Sequence, residues 1–210
     1  QVAGQLPLDL RKLKADFLSL SAHKFNGPKG VGALYMRRGV RIAPLYHGGG
    51  QERKVRPGTE NVPGIIGMAH ALQLAVSEID EKQKTLSRLR DKLIDGLLAI
   101  DQVLLNGHRT ERLPGNINVS FQHIEGESVL LSLDLQGVAA SSGSACSSGS
   151  LDPSHVLSAI GLDHHTAHGS IRFSLGLGSS DADVDYVLEI IPGIVERLRR
   201  ISPTYKPKAG

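Results

Sequence analysis

The chain has little cysteine, few aromatic residues and no long apolar run. Cys146 is the only cysteine among 210 residues, which excludes an internal disulfide and a CxxC zinc or redox motif. No segment approaches the roughly 18 uncharged apolar residues that a membrane span needs, and the first residues do not resemble a signal peptide. Aromatic residues make up only 4 % of the chain, so stacking rings for nucleic-acid bases are scarce. The sequence therefore predicts neither a membrane protein nor a nucleic-acid binder.

The rest of the composition is typical of a soluble globular protein. Apolar residues make up 40 % and charged residues 21 %, and the 24 glycines and 10 prolines follow no period, which excludes collagen and disorder. The net charge of +3 is too small to indicate a polyanionic partner. A free thiol fits a reducing compartment such as the cytoplasm. Because the chain opens at Gln1 rather than at methionine, we expect it to be the C-terminal part of a longer protein.

Alternating helical and strand patterns predict an α/β fold with a smaller mixed domain at the C-terminus. The charge-dense segment 78–92 indicates a connector between one domain over 1–80 and a second over 81–210. Strands at 18–21 and 31–36 predict a hairpin. The other predicted elements are a helix that begins at Thr59 or Asn61 and extends toward Ile100, strands at 103–105, 117–121, 138–140 and 171–175, helices at 125–135 and 153–160, and a last helix over 181–200 that Pro192 and Gly193 kink or divide.

The segment 21–24 gathers three groups that suit one cofactor. Lys24 follows the first predicted strand, and Ser21 and His23 flank it on the same segment. A hydroxyl and an imidazole can bind a phosphate, while an amine can form a Schiff base with an aldehyde. A phosphate and an aldehyde occur together in pyridoxal phosphate. The alternative for Lys24 taken alone is an ordinary surface lysine.

Cys146 lies in the small, polar segment 141–150, which has no periodicity and predicts a mobile loop. A free cysteine is usually buried and inert, but serine and glycine neighbours cannot build an apolar pocket around this one. A thiolate is a strong nucleophile, and a mobile loop would let its sulfur travel. The sequence therefore favours a nucleophilic Cys146, with an accidental surface thiol as the alternative.

Arg172 and Thr59 each allow a functional and a structural interpretation. Arg172 lies between apolar residues of a predicted strand, so its planar guanidinium can bind a substrate carboxylate or join a salt bridge. Thr59 precedes a helix, where its hydroxyl can contact a phosphate or cap the helix, and the spacing alone favours the cap. His164, His165 and His168 show no metal-ligand spacing, and we interpret them as solvent-facing residues of a polar loop.

Several separated motifs together resemble a known enzyme family. In chain order they are similar to the pyridoxal-phosphate cysteine desulfurases of the class-V aminotransferase family, over residues 1–205. The resemblance implies fold type I, with this chain supplying the end of the large-domain sheet and a smaller α+β C-terminal domain. The motifs are Ser-Ala-His-Lys at 21–24, Gly-Pro-Lys-Gly at 27–30, His-Gly-Gly-Gly-Gln-Glu at 47–52, Arg-Pro-Gly-Thr-Glu-Asn at 56–61, and the segments 141–150 and 170–176.

The resemblance implies cofactor contacts for five residues. Lys24 matches the lysine that holds pyridoxal phosphate, and Ser21 and His23 match residues that bind its phosphate. Gln1 matches a glutamine that contacts the phenolic oxygen of the cofactor. Thr59 matches a threonine that reaches the phosphate in the neighbouring subunit, which implies a homodimer with shared sites.

The resemblance also implies a substrate and the fate of its sulfur. Arg172 matches the arginine that anchors the carboxylate of L-cysteine, and Cys146 matches the nucleophile that becomes a persulfide as L-alanine forms. The long Ser/Gly loop is similar to the subgroup in which the persulfide passes to an iron–sulfur scaffold protein or to sulfur carriers for thiolation. Cys146 would then also be a transient iron–sulfur ligand, and no other metal site is implied.

Some family residues are absent from these 210 residues. Those that pair with the pyridine nitrogen, stack on the ring and contact the substrate lie upstream in the family. We therefore expect the chain alone to have little or no activity and to need the missing N-terminal half of the enzyme. The alternatives are a selenocysteine lyase and a non-catalytic sulfur-transfer or assembly module. A phosphate or nucleic-acid binder built on the basic cluster from Arg37 to Arg56 is disfavoured, because no stacking aromatic residues are interleaved.

Overall fold

A computed structural model of the chain describes residues 1–142 and 154–206. Within these ranges the fold is mixed α/β, as the sequence predicts. The chain divides into two units, Gln1–Gln83 and Lys84–Gly210. Among the described helices, none is by itself long and apolar enough to cross a membrane, and only Val62–Ser77 and Ile79–Leu98 meet that test together, across a sharp bend.

The first unit contains a β-hairpin. Its strands are antiparallel, with Phe17 opposite Met36 at one end and Ser21 opposite Gly32 at the other. This pairing confirms the predicted hairpin. In chain order the unit contains α1 (Leu10–Leu13), β1 (Phe17–Ser21), β2 (Gly32–Met36), α2 (Val62–Ser77) and the start of α3 (Ile79–Leu98).

A small apolar core fixes the segment that follows β1. Ala22 and Phe25 are the buried residues of a 3₁₀ turn over Ala22–Phe25. The backbone N–H of Ala22 donates to the carbonyl oxygen of Val31 at 3.1 Å, which ties the turn to the residue before β2. The five buried residues of this core are Ala3, Ala22, Phe25, Met68 and Ala75.

Helix α2 begins at the predicted signals. The side-chain oxygen of Asn61 accepts a hydrogen bond from the backbone N–H of Gly64 at 3.2 Å, so Asn61 is the N-cap. Pro63 lies in the first turn, where its missing N–H removes no helical hydrogen bond.

The predicted extension of this helix toward Ile100 is wrong. Helix α2 ends at Ser77, and α3 begins at Ile79 after one non-helical residue. The hydroxyl of Ser77 donates to the carbonyl oxygen of Leu74 at 2.9 Å, a bond that often bends helices. After the bend, Ile79 is buried.

The second unit packs helices on an antiparallel sheet of four strands in the order β3-β4-β6-β5. The predicted strand 138–140 is wrong, because Ser141 and Ser142 form the pairing strand instead. After α3, the unit contains β3 (Val103–Leu105), β4 (Asn116–Phe121), α4 (Gly126–Asp134), β5 (Ser141–Ser142), α5 (His155–Ala159), α6 (His164–His168), β6 (Ser170–Ser174) and α7 (Asp181–Ile201).

Side chains alternate across the two central strands with the period of two that a strand imposes. On β4, Ile117, Val119 and Phe121 point into the core, and on β6, Ile171 and Phe173 do so. The residues between them lie on the opposite face of the sheet, which carries mainly polar side chains. Buried residues of the helices complete the core and include Leu89, Leu93, Leu133, Val184 and Ile191.

Helix α7 is continuous through Pro192, so the predicted division into two helices is wrong. Ile191, Ile194 and Val195, which flank the proline, are buried in the core. This packing outweighs the roughly 3 kcal/mol that an interior proline costs.

A mutation tests the packing of α4. Leu133 is fully buried, so we expect Leu133→Ala to lower the free energy of unfolding of the second unit by about 2–5 kcal/mol. Leu131→Ala is the control, because Leu131 is 61 % exposed on the same helix and its loss should change stability by no more than about 0.5 kcal/mol. Urea unfolding followed by circular dichroism measures both, and equal losses would contradict this packing.

An ion-pair cluster lies at the start of α7. Arg88 donates to both carboxylate oxygens of Asp181, at 2.6 and 2.7 Å. The ammonium group of Lys92 lies 3.6 Å from the same carboxylate. The hydrogen bonds from Arg88 are the main reason that the pKa of Asp181 falls from 3.8 to about 2.

This cluster predicts a pH dependence of stability. Because the pKa of Asp181 is lowered by folding, its stabilising contribution is present above about pH 4 and is lost as the pH falls through about 2. We expect Asp181→Asn to lower the urea midpoint at neutral pH, and the difference from wild type to shrink below pH 4. Glu189→Gln is the control, since Glu189 has no ion pair within the described ranges. An NMR titration of the Asp181 carboxyl carbon with a midpoint near pH 4 would refute the pairing.

Candidate active site

The turn Ala22–Phe25 leaves the predicted lysine and its neighbours exposed. A 3₁₀ helix has three residues per turn, so Ala22 and Phe25 share the buried side. Ser21, His23 and Lys24 are exposed. Within the described ranges, none of these three side chains makes a hydrogen bond or an ion pair. The structure therefore brings together a hydroxyl, an imidazole and an amine that are free to bind a ligand.

The backbone around this turn is closely packed. Asn26 ends the turn in the left-handed region with φ of 62°. The backbone N–H of Gly27 donates to the carbonyl oxygen of Ala22 at 2.9 Å. A Cβ on Gly27 would lie 3.0 Å from the Cβ of Ala22 and 3.2 Å from that of Ala71, so a larger residue would push the turn away from α2. The Asn-Gly pair thus sets the position of Lys24.

The structure corrects the cap interpretation of Thr59. Asn61 is the N-cap of α2, whereas Thr59 is exposed and its hydroxyl has no hydrogen-bond partner among the described residues. Gln1 is also exposed and likewise has no side-chain partner there. Both residues belong to the same unit as Lys24 but to separate segments of it.

The segment before Thr59 contains a strained turn that the sequence does not reveal. Glu52, Arg53 and Lys54 have φ values of 44°, 56° and 66°, in the left-handed region that non-glycine residues rarely adopt. The side-chain oxygen of Gln51 accepts a hydrogen bond from the backbone N–H of Gly58 at 3.2 Å and closes the loop beyond this turn. Consecutive strained residues of this kind cluster at ligand sites.

Arg172 stands at the centre of the polar face in the second unit. Its cross-strand neighbours are Asn118 on β4 and Ser141 on β5. The Nε atom of Arg172 is buried without a hydrogen-bond partner, and none of the described carboxylates pairs with the guanidinium. Arg109 also has an unpartnered nitrogen, but its charge is balanced by Asp95 at 2.7 Å. The uncompensated charge of Arg172 favours the carboxylate-binding interpretation over the structural salt bridge.

A polar network on the same face was not apparent from the sequence. The side-chain N–H₂ of Asn106 donates to Oδ1 of Asn118 at 2.6 Å and to the hydroxyl of Ser120 at 2.9 Å. The guanidinium of Arg112 donates to the carbonyl oxygen of Asn106 at 2.8 Å. Burial is the main cause that lowers the pKa of Arg112, and the nearby charge of Arg90 adds to it.

The other predicted site residues have separate outcomes. Cys146 lies outside the described residues. His164, His165 and His168 lie on α6 rather than in a loop, because Asp163 caps that helix by accepting from the N–H of Thr166 at 3.0 Å. All three histidines are exposed, as predicted. Among the described histidines, cysteines, aspartates and glutamates, no group of three or more is placed to hold a metal ion.

Solved structures show which class of fold this is. A NifS-like protein superposes with a TM-score of 0.84 at 42 % identity, over 94 % of this chain and 51 % of that chain. A NifS-like protein from Rickettsia africae gives a TM-score of 0.83 at 30 % identity, over 92 % of this chain and 51 % of that chain. The fold is therefore fold type I, that of the pyridoxal-phosphate-dependent NifS-like enzymes, which confirms the predicted fold class.

Sequence comparison gives the family. The family model "Aminotransferase class-V" matches residues 1–187, so the chain belongs to the class-V aminotransferase family. The cysteine desulfurase IscS of Methanosarcina thermophila is 58 % identical over 97 % of this chain and 50 % of its own length. That of Dictyoglomus turgidum is 56 % identical over 97 % of this chain and 52 % of its own length. The chain spans about half the length of the curated relatives it matches.

The exposed donors of the first unit fit the cofactor of this family. Class-V aminotransferases depend on pyridoxal phosphate, which carries one phosphate and one aldehyde. The turn offers a free amine at Lys24 for the aldehyde, and a free hydroxyl and imidazole at Ser21 and His23 for the phosphate. The hydroxyl of Thr59 is exposed and has no hydrogen-bond partner among the described residues.

Mutations distinguish the structural roles of Thr59 and Asn61, which precede α2. We expect Asn61→Ala to lower the free energy of unfolding by about 1 kcal/mol, because the helix loses its cap. Thr59→Ala should change it by no more than about 0.5 kcal/mol, since its hydroxyl has no partner among the described residues. Urea unfolding measures both, with Thr59→Ser as a control that keeps the hydroxyl. If Thr59→Ala lowers the free energy of unfolding as much as Asn61→Ala does, Thr59 takes part in capping the helix and this assignment is wrong.

Proposed function

We propose that this chain is the C-terminal part of a pyridoxal-phosphate-dependent cysteine desulfurase that acts in a reducing compartment. The enzyme would convert L-cysteine to L-alanine and leave the sulfur as a persulfide on Cys146. One observation carries the proposal: a chain 58 % identical to a cysteine desulfurase IscS has both an exposed Lys24 without a partner and an Arg172 whose charge no described carboxylate balances. Free thiols persist under reducing conditions, which supports the compartment.

The first unit would bind the cofactor. Lys24 holds its aldehyde, Ser21 and His23 bind its phosphate, and Gln1 contacts its phenolic oxygen. When bound, pyridoxal phosphate supplies an electron sink for the electrons released at the substrate α-carbon. A neutral amine is needed at Lys24, and the buried Ala22 and Phe25 fix the backbone of the turn that carries this lysine. Thr59 would serve the neighbouring subunit, so the working enzyme is a homodimer.

The second unit would bind the substrate and receive its sulfur. Arg172 has a buried, unpartnered Nε and no described carboxylate beside it, which suits a substrate carboxylate. Ser141 pairs directly with Arg172, and Cys146 follows Ser141 by five residues in the sequence. A thiolate at Cys146 accepts the substrate sulfur, because the thiolate is the nucleophilic form of cysteine.

Sulfur delivery and assembly complete the proposal. The persulfide on Cys146 passes to an acceptor protein, such as an iron–sulfur scaffold or a sulfur carrier. The curated relatives are about twice as long as this chain, and we propose that activity requires the corresponding additional half. That half would supply the partner of the pyridine nitrogen and the group that stacks on the ring.

The cofactor assignment has a spectroscopic test. We expect the protein purified from its native source to be yellow, and Lys24→Ala to remove the absorbance of the lysine-bound cofactor. Lys29→Ala is the matched control, since Lys29 is an exposed lysine five residues further on and should keep the colour. Cys146→Ser should keep the colour but form no persulfide from L-cysteine, as read by intact mass.

Three outcomes would contradict this proposal in different ways. A colourless wild-type protein with no second polypeptide would indicate a non-catalytic assembly module. Colour that survives Lys24→Ala would remove the cofactor role of that lysine. Turnover of selenocysteine at an unchanged rate in Cys146→Ser, without turnover of L-cysteine in the wild type, would indicate a selenocysteine lyase.

A further inference from the structure

We propose that Asn118 is a second anchor for the substrate carboxylate beside Arg172. The proposal rests on the proposed function, because it concerns the amino-acid substrate of the same site. The side-chain N–H₂ of Asn118 would donate to one carboxylate oxygen while the Arg172 guanidinium binds the other.

The sheet register places the two side chains next to each other. Asn118 on β4 is directly opposite Arg172 on β6, and directly opposite residues point to the same face with Cβ atoms about 4.5–5.5 Å apart. Ser141 on β5 is opposite Arg172 from the other side. The three residues form one row across three strands, with the arginine in the middle.

A hydrogen bond from Asn106 fixes which way the Asn118 amide points. The N–H₂ of Asn106 donates to Oδ1 of Asn118 at 2.6 Å, so the oxygen of Asn118 is directed toward the β3 side of the sheet. The N–H₂ of Asn118 is then directed away from Asn106. Within the described ranges this N–H₂ group has no hydrogen-bond partner.

Asn106 is itself held in place. Its backbone N–H donates to the carbonyl oxygen of Asn118 at 2.9 Å, and its carbonyl oxygen accepts from Arg112 at 2.8 Å. The side chain is 6 % exposed, and its second hydrogen bond goes to the hydroxyl of Ser120. A rotation of the Asn118 amide would place two N–H₂ groups against each other, so the donor at Asn118 is preorganised.

The resulting site contains donors and positive charge without a compensating anion. The Nε of Arg172 is buried without a partner, and the N–H₂ of Asn118 is free on the same face. Two hydrogen-bond donors cannot satisfy each other, but a carboxylate with two oxygens accepts from both. Arg172 supplies most of the attraction, and Asn118 fixes the orientation of the carboxylate.

Two substitutions separate substrate binding from a structural role. Asn118→Asp keeps the size of the side chain and an oxygen that accepts from Asn106, but replaces the free donor with a carboxylate that pairs with Arg172. We expect it to raise the KM for L-cysteine at least about a hundredfold in the complete holoenzyme that contains this chain. Asn118→Ala should raise KM about tenfold and change kcat by less than about twofold.

Asn116→Ala is the matched control. Asn116 is also an asparagine, lies two residues before Asn118 on the same face of β4, and is opposite Ser174 rather than Arg172. It should leave KM within about twofold of wild type. L-Cysteinamide, which lacks the carboxylate, gives a second readout: the preference for L-cysteine over L-cysteinamide should fall in Asn118→Ala and stay unchanged in Asn116→Ala.

A binding measurement keeps this inference separate from the proposed function. The Nε–H resonance of Arg172 in the full chain is followed by NMR while acetate is added. Acetate should shift this resonance in wild type and in Asn116→Ala. In Asn118→Ala the affinity for acetate should be at least fivefold weaker, and in Asn118→Asp no saturable shift should appear. Wild-type affinity in both Asn118 variants would overturn the Asn118 assignment. A wild-type holoenzyme that binds acetate in this way but does not turn over L-cysteine would overturn the proposed function and leave the carboxylate site standing.

Discussion

The alternation of side chains along β4 and β6 is the constraint on which the position of Arg172 depends. Ile117, Val119, Ile171 and Phe173 are buried in the core of the second unit, and this fixes the register of the two strands. A slip of one residue would expose these apolar side chains and bury Arg172. The packing energy of the core therefore also holds the arginine on the opposite face, where its charge has no protein partner among the described residues.

In the first unit, the three-residue period of a 3₁₀ turn likewise determines which side chains are exposed. In the turn after β1, burial of Ala22 and Phe25 leaves His23 and Lys24 on the exposed side. The apolar residues of the motif are thus as important for its chemistry as the lysine. In both units, reactive groups are positioned by the burial of their immediate neighbours in the sequence.

Local signals were sufficient to predict the hairpin, the start of α2 and the position of Lys24 just after β1. Each depends on residues close in sequence, such as the Asn-Gly turn and Pro63. The continuous helix through Pro192 depends on the burial of Ile191, Ile194 and Val195 in the core, which the proline signal does not show. The helical pattern likewise does not show the single non-helical residue between Ser77 and Ile79. Thr59 was favoured as a cap by spacing, but the oxygen that accepts from the Gly64 N–H belongs to Asn61, two residues later.

The polar row could not be predicted, because it depends on pairings between strands far apart in the sequence. Asn118 and Arg172 are separated by 54 positions and become neighbours only when β4 and β6 pair. The same register joins Arg172 to Ser141, at the start of the segment that contains Cys146. The strand that carries the proposed carboxylate anchor therefore also fixes the first residues of the proposed sulfur-accepting segment. A change in the pairing of β5 with β6 would alter both, because one strand pair carries the proposed anchor and the start of that segment.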